Sequence, residues 1–215
     1  MKKIPYIIIS AAMSLDGFID DTTDKRLILS NDKDLDRVSA LRTSCDAILV
    51  GANTINRDNP RLLIKSKSRH KNLIKVTLTS SGNLNNSSHF FTTGEAEKII
   101  YTTTSQTEKL VSHFLSLATI VNAGEKTVDL HTALKDLHLR GVKRLIVEGG
   151  SSILTQFLQL GLVDEIHIAI AGFFVGQKDA PRFVQPGNFP WNAIHRLKLD
   201  SISKLDDIAV LTYKP

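Results

Sequence analysis

Val147-Glu148-Gly149-Gly150-Ser151-Ser152-Ile153-Leu154 joins an apolar run to a helical pattern through an acid and two glycines. Leu145 to Val147 reads as a buried strand. Ile153, Leu154, Phe157 and Leu158 then recur on one helical face until Gly161 stops it. A strand feeding a helix in this way is the building unit of a parallel sheet. Adjacent glycines let a backbone approach a ligand closely. The first helical turn behind them offers free N–H groups and the positive end of a dipole, which suits a phosphate. Ser151, Ser152 and Thr155 add hydroxyl donors. A tight turn with a serine N-cap accounts for the same residues equally well.

Outward from this stretch, Ile48-Leu49-Val50-Gly51-Ala52-Asn53-Thr54-Ile55 repeats the arrangement and continues as Asn56-Arg57-Asp58-Asn59-Pro60-Arg61-Leu62. Neither turn matches the Gly-x-Gly-x-x-Gly dinucleotide fingerprint or the lysine-containing P-loop. At one edge of a sheet, the two would form a cradle for a pyrophosphate-containing cofactor. Asp58-Asn59-Pro60 also has the composition of a plain turn.

The remaining chain follows the same alternation. Ile7 to Ala12, Ala47 to Val50, Ile74 to Leu78, Ile99 to Thr102 and Thr119 to Val121 read as buried strands. Leu35, Val38 and Leu41 fall on one helical face. So do Leu110, Val111, Phe114 and Leu115, with Ser105 and Glu108 in capping-box spacing. Leu130, Leu134 and Leu137 mark a further helix that Gly141 ends. Towards the C-terminus, Ile166, Ile168 and Ile170 alternate with Glu165, His167 and Ala169. A Gly/Pro-rich stretch follows, and Ala193 to Ile202 and Ile208 to Tyr213 flank a turn at Asp206-Asp207. The expectation is a three-layer α/β/α fold with a mostly parallel mixed sheet and a C-terminal antiparallel hairpin, in a single domain over residues 1–215.

Composition restricts the function classes. The 215 residues are 42% hydrophobic and 23% charged, as in ordinary globular proteins. The net charge of +5 is mild, and its dense cluster at Lys65, Lys67, Arg69, His70 and Lys71 has no interleaved aromatics. Nucleic acid is therefore not an expected partner. The cluster reads as a solvated loop or as a field that attracts a small phosphorylated ligand. Cys45 stands alone, which excludes an intramolecular disulfide and a cysteine-based metal cage and suits a reducing cytoplasm. The first apolar run is short and interrupted by Pro5, so a buried strand is expected there rather than a leader or a membrane span of ~20 apolar residues. The seven histidines show no metal-binding spacing, and no Gly-x-Ser-x-Gly elbow occurs. Ser14-Leu15-Asp16-Gly17, after the first strand, reads as a turn. Arg42 suits either the negative end of its helix or a substrate phosphate.

Taken together, Met13 to Gly17, Leu41-Arg42, Asp46 to Gly51, Thr54 with Asp58 to Leu62, Val147 to Gly150 and Leu162 to Glu165 resemble the reductases of riboflavin biosynthesis. These reductases share a dihydrofolate-reductase-like fold. The resemblance spans almost the whole chain. It implies NADPH as hydride donor, a phosphoribosylamino-pyrimidine as substrate, hydride addition at C1′ of the opened ribose, and a homodimer. Carried over by position, it implies cofactor contacts at Ala12, Ile28, Gly51, Thr54, Asp58, Ser80, Gly149, Gly150, Ser151, Ser152, Ile153, Leu154, Thr155 and Gln156. Substrate contacts are implied at Arg26, Arg42, Leu62, Lys65 and Glu148, with Glu148 and Asp58 as the catalytic pair and no metal. Arg42 and Lys65 could neutralise a phosphate, and Glu148 could accept from substrate hydroxyl or amino groups. Ile9, Arg26, Ile28 and Lys65 differ from the fused bacterial members, and the first and third of these make the chain look closer to stand-alone archaeal-type reductases. The His-x-Glu and Pro-Cys-x-x-Cys pattern of the deaminase often fused to the reductase does not occur. The competing expectations are a reductase of the same fold acting on a pterin or specialised metabolite, and a non-catalytic nucleotide-binding protein.

Overall fold

The computed structural model describes residues 3–64 and 73–215. In chain order the elements are β1 (Tyr6–Ser14), α1 (Asp32–Thr43), β2 (Ala47–Gly51), α2 (Ala52–Asp58), β3 (Ile74–Thr79), α3 (His89–Thr92), β4 (Lys98–Thr102), α4 (Thr104–Phe114), β5 (Thr119–Asn122), α5 (Leu130–Leu139), β6 (Arg144–Gly149), α6 (Ser151–Gln159), β7 (Glu165–Ala171), β8 (Lys198–Leu205) and β9 (Ile208–Lys214). The chain divides into two compact units, Met1–Tyr6 with Leu41–Ile146 and Ile7–Ala40 with Val147–Pro215.

In the first unit β2 pairs with β3, β3 with β4 and β4 with β5, all in parallel. Ile48, Leu49, Val50, Val76, Ile99 and Ile100 give the central strands their buried apolar side chains, as two-sided burial favours, with Lys75 and Thr77 as buried polar exceptions on β3. Phe90 and Phe91 of α3 meet edge to face at 4.8 Å, and Phe91 lies 4.8 Å from Phe114 of α4. The expected buried strand at 119–121 is instead half-exposed, because among the described residues β5 pairs on one side only, with β4. The capping box at Ser105 and Glu108 does not form. Helix α4 begins earlier, with Thr103 as N-cap, and Leu115 is exposed beyond its end.

Two large buried polar side chains in this unit, Lys75 and Tyr101, have defined hydrogen-bond partners. Lys75, 1% exposed, donates from Nζ to the carbonyls of Phe90 (3.2 Å) and Thr93 (2.7 Å). Burial lowers its pKa to about 8. The Tyr101 hydroxyl donates to Asp136 at 2.7 Å, and Arg140 Nε donates to the same carboxylate oxygen at 2.7 Å.

In the second unit β1 and β7 pair in parallel, while β7–β9 and β8–β9 are antiparallel. The expected hairpin forms about Asp206, whose φ is +59°, but its first strand runs Lys198–Leu205 rather than from Ala193. Small apolar residues Ala169, Ile208 and Val210 form a core cluster with Ala12 and Leu205 against it. Helix α1 departs from its expected face: Leu35 is exposed and Asp34 is buried. The Asp34 carboxylate accepts from Ser30 Oγ at 2.5 Å and Arg37 Nε at 2.8 Å, which offsets its burial. Among the described residues no helix is long and apolar enough to cross a membrane, and no group of three His, Cys, Asp or Glu could hold a metal.

Candidate active site

In the second unit, β6 ends with Val147 in the core, Glu148 half-buried and Gly149 buried. Gly149 has φ of +138°, and a methyl group there would meet nothing within 4 Å. Backbone conformation, rather than crowding, reserves this position for glycine. The Gly149–Gly150 peptide is cis.

Helix α6 has Gly150 as N-cap with no side-chain cap, so the expected serine cap is replaced by glycine and Ser151 is the first helical residue. The N–H groups of Ser151 and Ser152 have no intrahelical acceptor. Those of Ile153 and Leu154 donate to the Gly150 carbonyl at 3.0 and 3.1 Å. Ser151 Oγ is buried with no hydrogen-bond partner among the described residues. Ser152 is exposed, and its Oγ accepts from Gln156 Nε2 at 3.3 Å.

Other residues of this turn have internal duties. Thr155 Oγ donates to the Ser151 carbonyl at 2.7 Å and accepts from the Gln185 N–H at 2.9 Å. The Thr155 hydroxyl proton is thus engaged within the protein, where it helps to hold the turn. Ile153 and Leu154 are 8% and 0% exposed, so their side chains belong to the core. The other second-unit candidates lie along β1 and the segment after it. Ala12 is half-buried opposite Ala169, Arg26 is exposed, and Ile28 is 82% exposed.

In the first unit, Gly51 ends β2 and serves as N-cap of α2 with φ −72° and ψ 154°. Thr54 and Asp58, half-buried, lie on α2. Asn59 closes that helix in the left-handed region at φ +44°, and its Oδ1 accepts the His89 N–H at 2.6 Å. Leu62, also at positive φ (+48°), is 7% exposed, so its side chain packs in the interior. Ser80 follows β3. Its Oγ accepts the Val128 N–H at 3.2 Å and its carbonyl accepts from Thr103 Oγ at 3.4 Å. Arg42, in the last turn of α1, donates from Nη1 to the Leu63 carbonyl at 3.2 Å. Lys65 and the rest of the basic cluster lie outside the described residues.

Chemically, the second-unit turn offers a helix N-terminus with unused donors directly after a carboxylate. That arrangement can hold an anionic group and present an acceptor beside it. In the sequence Asp16 was legible as part of a turn and of a family-like motif, without a role of its own. In the structure its carboxylate takes amide donors from a segment about 160 positions further along the chain. The Met13 to Gly17 motif was the signal that could have pointed to it.

Comparison with known proteins places these features in context. The RibD C-terminal domain model matches residues 5–211. A 2,5-diamino-6-ribosylamino-4(3H)-pyrimidinone 5′-phosphate reductase of Methanothermobacter thermautotrophicus is 39% identical over 183 residues, covering 84% of this chain and 83% of that protein. The Archaeoglobus fulgidus protein of the same name is 31% identical over 212 residues, 94% of each chain. Among solved structures, a pyrimidine reductase-like protein of Corynebacterium diphtheriae superposes with a TM-score of 0.82 at 23% identity, over 98% of this chain and 91% of its own. Acinetobacter baumannii RibD gives the same TM-score at 21% identity, and this chain spans 59% of it.

Proposed function

The chain belongs to the RibD C-terminal domain family, and from that premise we propose that it reduces the ribose of a phosphoribosylamino-pyrimidine to the ribitylamino product, with NADPH as hydride donor. The observation that carries this reading is the near-full-length similarity to two proteins named as pyrimidinone phosphate reductases. The reductase turn in this chain supports it.

The turn suits the cofactor in its own right. The open space at Gly149, the unused N–H groups of Ser151 and Ser152 and the unpartnered, buried Ser151 Oγ fit a pyrophosphate. We assign Gly149 to Gln156, Ala12 and Ile28 in the second unit to the cofactor, the middle of the α6 turn acting through backbone and packing. In the first unit we assign Gly51, Thr54, Asp58 and Ser80. The nicotinamide would supply the hydride. Glu148 orients the substrate by accepting from its hydroxyl or amino groups, Arg42 and Lys65 balance its phosphate, and Arg26 and Leu62 complete its contacts. Asp58 acts beside the cofactor as the second carboxylate.

The working form we propose is a homodimer in a single-domain, cytoplasmic protein. Strand β8 pairs only with β9 within its unit and exposes Leu199 and Ile202 at 49% and 65%, an apolar edge that a second copy would cover. The direct test supplies NADPH with the aminated or the deaminated pyrimidine phosphate and follows absorbance at the nicotinamide band. Oxidation that depends on one pyrimidine supports the reading. No oxidation with either pyrimidine, at protein concentrations that bind NADPH, overturns it. A monomer by light scattering across micromolar concentrations overturns the dimer.

A further inference from the structure

The segment after β1 is fastened to the segment after β7 by a dense set of bonds within the second unit. Asp16 Oδ1 accepts from Ser14 Oγ at 2.5 Å and from the Val175 N–H at 3.1 Å, and Oδ2 accepts from the Gly176 N–H at 2.8 Å. Ser14 Oγ in turn accepts the Phe18 N–H at 3.1 Å. Backbone bonds run from Leu15 N–H to the Phe173 carbonyl (2.9 Å), from Phe183 N–H to the Gly17 carbonyl (2.9 Å) and from Ile19 N–H to the Pro181 carbonyl (2.8 Å). The Arg182 guanidinium lies 4.2 Å from the Phe18 ring centroid. Further out, the Thr22 N–H and hydroxyl both donate to Gln177 Oε1, at 2.8 and 2.9 Å.

Beyond this clasp the chain closes on itself. Asp20 Oδ1 accepts the N–H groups of Asp21 (2.9 Å) and Leu27 (3.2 Å), so the stretch that leads to Arg26 and Ile28 is tied at both ends. Arg26 and Ile28 are themselves exposed and have little packing to hold them. Their placement therefore depends on what anchors the loop. We infer that Asp16 is a positioning residue: by holding Val175 and Gly176 it fixes the loop that presents Ile28 to the cofactor and Arg26 to the substrate. This assignment rests on the function proposed above.

Asp16 suits the task as a carboxylate. Partial burial raises its pKa, and the donors from Ser14, Val175 and Gly176 outweigh that and hold the carboxyl below its usual value. It is therefore ionised across the neutral range, and each of these bonds is charge-assisted. An asparagine of the same shape would turn a donor towards at least one of the three existing donors.

The test is Asp16→Asn, with NADPH binding followed by fluorescence titration, steady-state kinetics, and amide hydrogen exchange at Val175 and Gly176. The expected result is a roughly tenfold rise in the NADPH dissociation constant and in KM, with kcat changing by less than about threefold. Exchange at the two amides should be faster. A purely structural residue would instead lower the fraction of active protein, so that kcat falls while KM and the dissociation constant stay unchanged, and that pattern overturns the assignment. Faster exchange with unaltered binding and KM overturns it too. Should Asp16→Asn fail to fold, Gln177→Ala, which removes only the outer fastening to Thr22, must raise KM in the same direction by a few-fold, and an unchanged KM there is equally fatal. Wild-type protein that binds no NADPH overturns the proposed function and this assignment with it. Wild-type binding that Asp16→Asn matches overturns this assignment alone.

Discussion

The turns at Gly51 and at Gly149-Gly150 look alike as sequence and differ in structure. Each passes from a buried strand through glycine into a helix whose N-cap is glycine without a side-chain cap. At Gly51 the backbone sits at φ −72°, a conformation open to every residue, and the helix that follows is only seven residues long with Ile55 as its buried side chain. At Gly149 φ is +138°, and α6 behind it buries Ile153, Leu154, Thr155, Phe157 and Leu158. One turn needs glycine for its backbone and is anchored by a wide apolar face; the other is not so committed. A glycine at a strand-to-helix junction therefore announces a possible close approach, and only its dihedral angles and anchoring tell how much depends on it.

The largest effect that could break this comparison is on cofactor binding. Gly150 has φ −61°, which valine adopts without strain, so Gly150→Val places bulk at the N-cap while leaving the backbone path possible. We expect NADPH affinity to fall by about 100-fold or more in a protein that still folds, a loss of roughly 2.7 kcal/mol. Unchanged titration in soluble Gly150→Val would remove the α6 turn from the cofactor site.

A smaller effect separates the acid from the glycines beside it. Glu148→Gln should lower kcat/KM by at least about tenfold, near 1.4 kcal/mol in transition-state binding, with NADPH affinity hardly altered. Full turnover combined with lost NADPH binding would reassign Glu148 to the cofactor.

The smallest effect concerns stability and compares the turns directly. Gly149→Ala forces a methyl-bearing residue into positive φ and should cost about 1–2 kcal/mol by denaturant unfolding, despite the open space around it. Gly51→Ala carries no such backbone cost and should lose less. Equal losses would show that packing, rather than φ, governs both glycines.

How far the molecule was legible depended on which physical signal each residue sent. Strands β1 to β4 and β6 could be read because predominantly apolar runs have few alternatives to burial. Lys75, a charge inside one of those runs, was not legible as buried, because only the positions of the Phe90 and Thr93 carbonyls make its burial tolerable. In α1 helical spacing favours Leu35 over Asp34 as the buried residue, and the structure has the reverse. Ser30 and Arg37 reverse that preference by satisfying the buried carboxylate. In the site, the Gly-Gly turn and the acid before it were visible from composition, while the internal duty of Thr155 required Gln185, thirty positions away, to be found beside it.

What the sequence by itself determined, then, was the alternation of strand and helix, the antiparallel C-terminal pair, the family, and the two glycine junctions. The elements and junctions follow from local periodicity and from residue types whose backbone freedom or burial energy is intrinsic, while the family follows from the resemblance of the motifs. The tertiary structure alone decided which glycine is conformationally required, which hydroxyls of α6 remain available, and that Asp16 reaches Val175 and Gly176. Those outcomes depend on partners distant in the chain. A hydrogen bond's worth depends on whether its partner arrives at about 3 Å, and no local pattern encodes that meeting.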